Sequence, residues 1–228
     1  MRPTGVFVGI PLTILQESCY HMQTGNFFNP TSFIFLNACI GHCVYDADRI
    51  KDVNDDIMKK RYDVSISTAL LYTSNNFYEC DLKIMVPFLV VLNKWYSDLK
   101  PLLGVSKPFF VAFFWTVAIY IIPLQHVAYN VGYIDFNVMT PISVFLQMAS
   151  WSNIADIKDI EDDKKKLVFT PSTKLGKRKS SAFSFVVLLI SVFMHNFCYY
   201  YDYIDKSYDL VNLVSMITIC IMFVDSPN

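Results

Sequence analysis

The sequence predicts an all-α integral membrane protein, a single domain over residues 1–228 that crosses the bilayer about eight times. Three observations predict it. The chain is 54% apolar and 16% aromatic, with only 17% charged residues and a mean hydropathy of +0.35. That profile lies outside the usual soluble range. The apolar residues fall in long blocks, and nearly all of the basic residues fall in the loops on one side.

Taken in order, the predicted spans are Gly5–Cys19, Phe27–Tyr45, Val64–Tyr78, Lys83–Trp95, Pro108–Leu124, Val138–Ala155, Ala182–Tyr201 and Leu210–Val224. The fifth carries no charge from Pro108 to Leu124, and the seventh none except a possible His195. Apolar runs of about 17–25 residues are long enough to cross a bilayer as helices. The first span begins almost at once and has no small-residue cleavage pattern, so neither a signal nor a transit peptide is expected.

Under this assignment the loops 46–63, 94–107 and 156–181 share one face. Of the 19 Lys and Arg, only Arg2, Lys83 and Lys206 lie outside those loops, and Arg2 belongs to the same face. Such asymmetry is the positive-inside pattern, and it supports an even number of spans. That face is expected to be the cytosol, or the matrix or stroma of an organelle. The net charge of −1 says little, because acids and bases share the same loops. The Lys-rich stretch 164–179 therefore reads as a juxtamembrane basic loop beside lipid and not as a nucleic-acid patch. The six cysteines form no C-x-x-C pair, which argues against a zinc site and for small buried residues.

Two Asp clusters stand out on the basic face. The first runs Val44-Tyr45-Asp46-Ala47-Asp48-Arg49-Ile50-Lys51-Asp52, and the second Asp156-Ile157-Lys158-Asp159-Ile160-Glu161-Asp162-Asp163-Lys164. Each contains D-x-x-x-D, and on a helix residues four apart share one face roughly 5–6 Å apart. Two carboxylates at that spacing can share a Mg²⁺ that keeps positions open for phosphate oxygens. Either cluster alone reads equally well as solvated charge at a membrane surface. Two clusters in the same orientation, each with a basic residue beside an acid, point to a metal-bridged diphosphate. His42, His126 and His195 read as packed or interfacial residues, and the many Phe and Tyr as core, lipid-facing or belt residues. Trp151 and Asn153, one turn before the second cluster, are within reach of such a site.

These motifs resemble those of the UbiA-type intramembrane prenyltransferases. Asp48 and Asp52 match the last two acids of the family's N-D-x-x-D-x-x-x-D motif, while Val44-Tyr45 stands in place of its Asn-Asp. Asp156, Asp159 and Asp163-Lys164 match the second motif, followed by Thr170-Pro171 and Leu175-Gly176. Tyr96-x-x-x-Lys100 resembles the family's Tyr-x-x-x-Lys before the fifth span, and Arg2-Pro3 its opening Arg-Pro. The resemblance covers nearly the whole chain in order, although the family usually has nine spans around a central cavity.

It implies Mg²⁺-dependent transfer of a prenyl group from an isoprenyl diphosphate to a hydrophobic aromatic or ring acceptor. Asp48, Asp52, Asp159 and Asp163 would be catalytic and hold the metals, with Asp156 beside them. Arg49, Tyr96, Lys100, Lys107, Lys158 and Lys164 would face the diphosphate. Three other readings fit parts of the pattern. A non-catalytic member of the same family suits the Val44-Tyr45 departure, and an intramembrane terpene cyclase would use the same scaffold without an acceptor. A soluble isoprenyl diphosphate synthase shares the Asp-rich motifs but seldom has uncharged runs of this length.

Overall fold

A computed structural model describes residues 59–60, 62–68, 95–96, 99–121, 124 and 138–200, with side chains to 194. Among these residues every regular element is a helix and there is no strand. The first Asp cluster and the first, second, fourth and eighth predicted spans lie outside the described residues, apart from Trp95 at the end of the fourth. So do His42, His126 and Arg2-Pro3. The chain divides into two compact units, and the second comprises Lys100–Tyr120 with Asp135–Asn228. Nearly everything described below belongs to that second unit.

Four helices form its described part. A 3₁₀ turn at Gly104–Ser106 leads into α1, Lys107–Thr116, which widens into a π-helical stretch at Val117–Ile121. Then come α2, Met139–Ile157, the short α3, Ile160–Lys165, and α4, Pro171–Tyr200. α2 packs along α4 over most of its length and along α1 on another side. The helical run Leu99–Ile121, taken with its 3₁₀ and π-helical turns, is long and apolar enough to cross a membrane. It starts nine residues before the predicted span, and α4 starts eleven before its own. Apolar blocks mark only the stretch suited to hydrocarbon, whereas the helices continue into polar surroundings.

The α2–α4 contact is a polar seam. Thr140, Ser143, Gln147, Ser150, Asn153 and Asp156 are all buried on α2, at the three- and four-residue steps that make one helical stripe. Ser143 and Ser191 each donate to the other's backbone carbonyl, at 3.0 and 2.8 Å. Ser150 donates to the Ser184 carbonyl at 2.8 Å. The Asn153 amide donates to the Ser180 carbonyl and to the hydroxyls of Ser180 and Ser184, and Ser172 donates to the Asn153 side-chain carbonyl. Small hydroxyl residues let helix backbones approach closely where no water competes for their hydrogen bonds. Asn153 is thereby committed to holding helices together, which explains its place near the second cluster.

The segment between α2 and α4 is punctuated residue by residue. α3 ends in a Schellman motif: the Leu167 amide donates to the Lys164 carbonyl at 3.2 Å, and the Val168 amide to that of Asp163 at 2.8 Å. This places Leu167 at the left-handed position, φ 56°, where glycine is usual. The Thr170 hydroxyl then accepts from the Thr173 amide at 3.2 Å, an N-cap followed by Pro171 at the first helical position. Gly176, at φ 74° and ψ 169°, breaks α4 one turn in. Thr170-Pro171 and Leu175-Gly176 therefore act as a helix start and a helix break.

Holding a leucine in the left-handed region costs about 1–2 kcal/mol, and Leu167 recovers little, because it is 71% exposed. Replacing it by glycine relieves that strain and gives part of the gain back as unfolded-chain entropy. Leu167→Gly is expected to stabilise the protein by up to about 1 kcal/mol, a Tm rise of about 2–4 °C, read by thermal unfolding in detergent.

Candidate functional site: two lysines on two buried aspartates

The end of α2 carries Asp156, one residue past the predicted span. The chain then turns, with the Asp159 amide donating to the Asp156 carbonyl at 3.1 Å, and α3 restarts with the Asp163 amide donating to the Asp159 carbonyl at 2.8 Å. Glu161, Asp162 and Asp163 fill the first turn of α3, and Lys164 and Lys165 the last. That arrangement complements the helix dipole.

Because the helix is interrupted at Lys158–Asp159, the two acids of D-x-x-x-D do not share a buried face. Asp159 is exposed at the N-cap position, whereas Asp163 is 2% exposed. The buried companion of Asp163 is Asp156, 5% exposed. On one continuous helix Asp156, Asp159 and Asp163 would share a face; the break takes Asp159 out of it.

Two lysines from the loop before the fifth predicted span meet these carboxylates. Lys107, 4% exposed, opens α1; its Nζ lies 2.5 Å from Asp156 Oδ1 and 3.8 Å from Asp163 Oδ2. Lys100 Nζ lies 3.6 Å from Asp163 Oδ1. Gly104, at φ 53°, is what permits the chain between them. A side chain there would meet only ordinary contact with the Phe169 carbonyl, so the positive φ, and not space, favours glycine.

The cluster thus balances two carboxylates with two ammonium groups. Asp156 Oδ2 and Asp163 Oδ2 are both buried without a hydrogen-bond partner. Burial pushes the Asp156 carboxyl above its ordinary value; the nearby Lys107 charge and its hydrogen bond pull the other way without cancelling that rise.

Other expected site residues lie elsewhere. Lys158 is exposed, and Lys164 pairs with Glu161 at 3.3 Å on the exposed side of α3. Tyr96 is half-buried in the other compact unit. Asp48, Arg49 and Asp52 are outside the described residues. Sequence reading named Lys107 and Asp156 separately, but not as a pair; they are 49 residues apart.

The donor chemistry suits a magnesium ion. Two orphaned carboxylate oxygens are hard ligands, and Mg²⁺ is typically held by one or two carboxylates together with substrate phosphates. Among the described residues no group of three or more His, Cys, Asp or Glu could hold a metal unaided. Any metal here would therefore draw its remaining oxygens from water, from a ligand or from other parts of the chain.

No sequence-family model matches the chain, and no curated protein matches it in sequence. Solved structures do. A UbiA homologue from Archaeoglobus fulgidus matches at 12% identity with a TM-score of 0.61, over 96% of this chain and 84% of that one. The same homologue bound to GPP and Mg²⁺ matches at 12% identity and TM-score 0.60, over 97% and 86%. A digeranylgeranylglyceryl phosphate synthase matches at 17% identity and TM-score 0.53, over 97% and 83%. The chain has the UbiA-type fold.

The raised Asp156 carboxyl fixes the sign of one pH effect. Below the unfolded value of about 3.9 the group is protonated in both states. As pH rises through the higher folded value, the folded state must bury a charge that the unfolded state solvates, so the contribution of Asp156 to stability falls. Unfolding followed from pH 3 to 8 is expected to show wild type losing stability relative to Asp156→Asn across that interval.

Proposed function

We propose that this chain is a multi-pass membrane prenyltransferase, moving a prenyl group from an isoprenyl diphosphate to an aromatic or ring acceptor within the bilayer, with Mg²⁺ as cofactor. The observation that carries this reading is the convergence of Lys100 and Lys107 on Asp156 and Asp163 in a chain of UbiA-type fold. The clustering of Lys and Arg in three loops supports placing the Asp motifs on the cytosolic, matrix or stromal face.

The reaction begins with loss of diphosphate from the allylic carbon, the leaving group departing with the electron pair of the broken C–O bond. Lys107 stands beside Asp156 and Asp163, and Lys100 beside Asp163; both are placed to stabilise charge as it builds on the diphosphate oxygens. Asp156 and Asp163 would hold Mg²⁺ through their unpartnered oxygens. When bound, that ion supplies Lewis-acid stabilisation of the departing diphosphate. In this reading Asp159, Asp48 and Asp52 add metal carboxylates, while Arg49, Tyr96, Lys158 and Lys164 add diphosphate contacts, as the family resemblance implies. An acceptor carbon attacks the allyl cation, and a base removes its proton.

Diphosphate release by the purified protein in detergent tests this directly. Geranyl, farnesyl and geranylgeranyl diphosphate would each be offered with a pool of aromatic acceptors, with Mg²⁺ or with EDTA. Mg²⁺-dependent release is expected, together with a loss of at least about 100-fold in Asp159→Ala/Asp163→Ala. Folded protein that releases no diphosphate and binds none with Mg²⁺ would refute the reading.

A further inference from the structure

The unusual feature of this cluster is that its charge is already balanced. Lys107 is almost wholly buried, and its ammonium sits beside Asp156 Oδ1 and within 3.8 Å of Asp163 Oδ2. Lys100 stands by the other oxygen of Asp163. A divalent ion arriving without diphosphate would meet two ammonium groups at close range in a poorly solvated setting, where like charges repel strongly. Removing the Lys107 charge would instead leave two buried carboxylates seeking a cation.

We propose that Lys107 is a resident cation that keeps the pair Asp156–Asp163 from holding a divalent ion until diphosphate is present. This rests on the diphosphate reading above and adds an order of loading to it. The Lys107 backbone is fixed in the first turn of α1, but its ammonium rides on a flexible four-carbon stem. An arriving diphosphate brings enough negative charge to draw that ammonium off Asp156. The carboxylate oxygens then become available to the metal as the diphosphate supplies the remaining ligands. Metal and diphosphate are thereby taken up together, and without diphosphate the pair stays closed to stray divalent ions.

Mn²⁺ serves as the probe, with bound ions per chain counted by electron paramagnetic resonance on the full chain in detergent at pH 8. Without diphosphate, wild type and Asp156→Asn are expected to bind Mn²⁺ alike, since the pair holds no metal in that state. Lys107→Met is expected to take up one further ion per chain, at least about tenfold more tightly than any Mn²⁺ held at this pair in wild type. That gain should vanish in Lys107→Met/Asp156→Asn, while Lys107→Arg should match wild type. With inorganic diphosphate added, wild type should reach the count of Lys107→Met.

Loss of a bound ion in Asp156→Asn without diphosphate would overturn the proposal, and this arm needs no Lys107 variant to fold. Equal binding by folded Lys107→Met and wild type would overturn it as well. Diphosphate-dependent Mn²⁺ binding in wild type, alongside either of those results, would leave the prenyltransferase reading standing while removing the role of Lys107. Absence of diphosphate-dependent binding in every folded variant would remove both.

Discussion

A buried carboxylate at a helix end is tolerated only if something compensates its lost hydration. In this chain Lys107 supplies the compensation. The Asp156–Lys107 contact ties the end of α2 to the start of α1, and Asp163 joins it from α3 with Lys100 nearby. Breaking such a pair from one side leaves an uncompensated buried charge, typically a loss of about 3–5 kcal/mol. The cluster is thus a structural joint as well as a candidate site. The punctuation downstream serves the same end. The Schellman turn at Leu167 ties the Asp163 carbonyl into the close of α3, and the Thr170 cap then starts α4 afresh.

The second constraint is the seam between α2 and α4. Close packing of small residues and interhelical hydrogen bonds hold it. Ser143 with Ser191, Ser150 with Ser184, and Asn153 with Ser172, Ser180 and Ser184 fix the two helices in register. Asp156 extends the same stripe by one step. A helix held in register along about three of its turns delivers its final side chain to a defined place, and that is how packing here becomes chemistry.

The all-helical character was legible in the sequence because the chain is built of long apolar blocks; most of the eight expected spans lie outside the described residues. The α2 prediction missed by no more than two residues at either end. Helix starts were less legible where polar residues such as Lys177 and Lys179 extend a helix ahead of its apolar block. The geometry of the second Asp motif was not legible. Its four-residue spacing implies one face, yet the break at Lys158–Asp159 leaves Asp159 exposed and pairs Asp163 with Asp156. Nothing local announces that break, since Ile157 through Ile160 contains neither Gly nor Pro. The polar stripe on α2 could have been found, because Ser143, Gln147, Ser150 and Asn153 follow helical spacing inside an otherwise apolar span. The long-range pairing of Lys107 with Asp156 could not, because charge alone does not say which lysine reaches which acid.

The central claim is that these two lysines and two aspartates cradle a diphosphate. An experimental structure of the chain with Mg²⁺ and a prenyl thiolodiphosphate, which resists ionisation, tests it most directly. The account predicts diphosphate oxygens within hydrogen-bonding distance of Lys100 and Lys107 Nζ, with a metal between the diphosphate and Asp163. Diphosphate bound at a distance from all four side chains would contradict it.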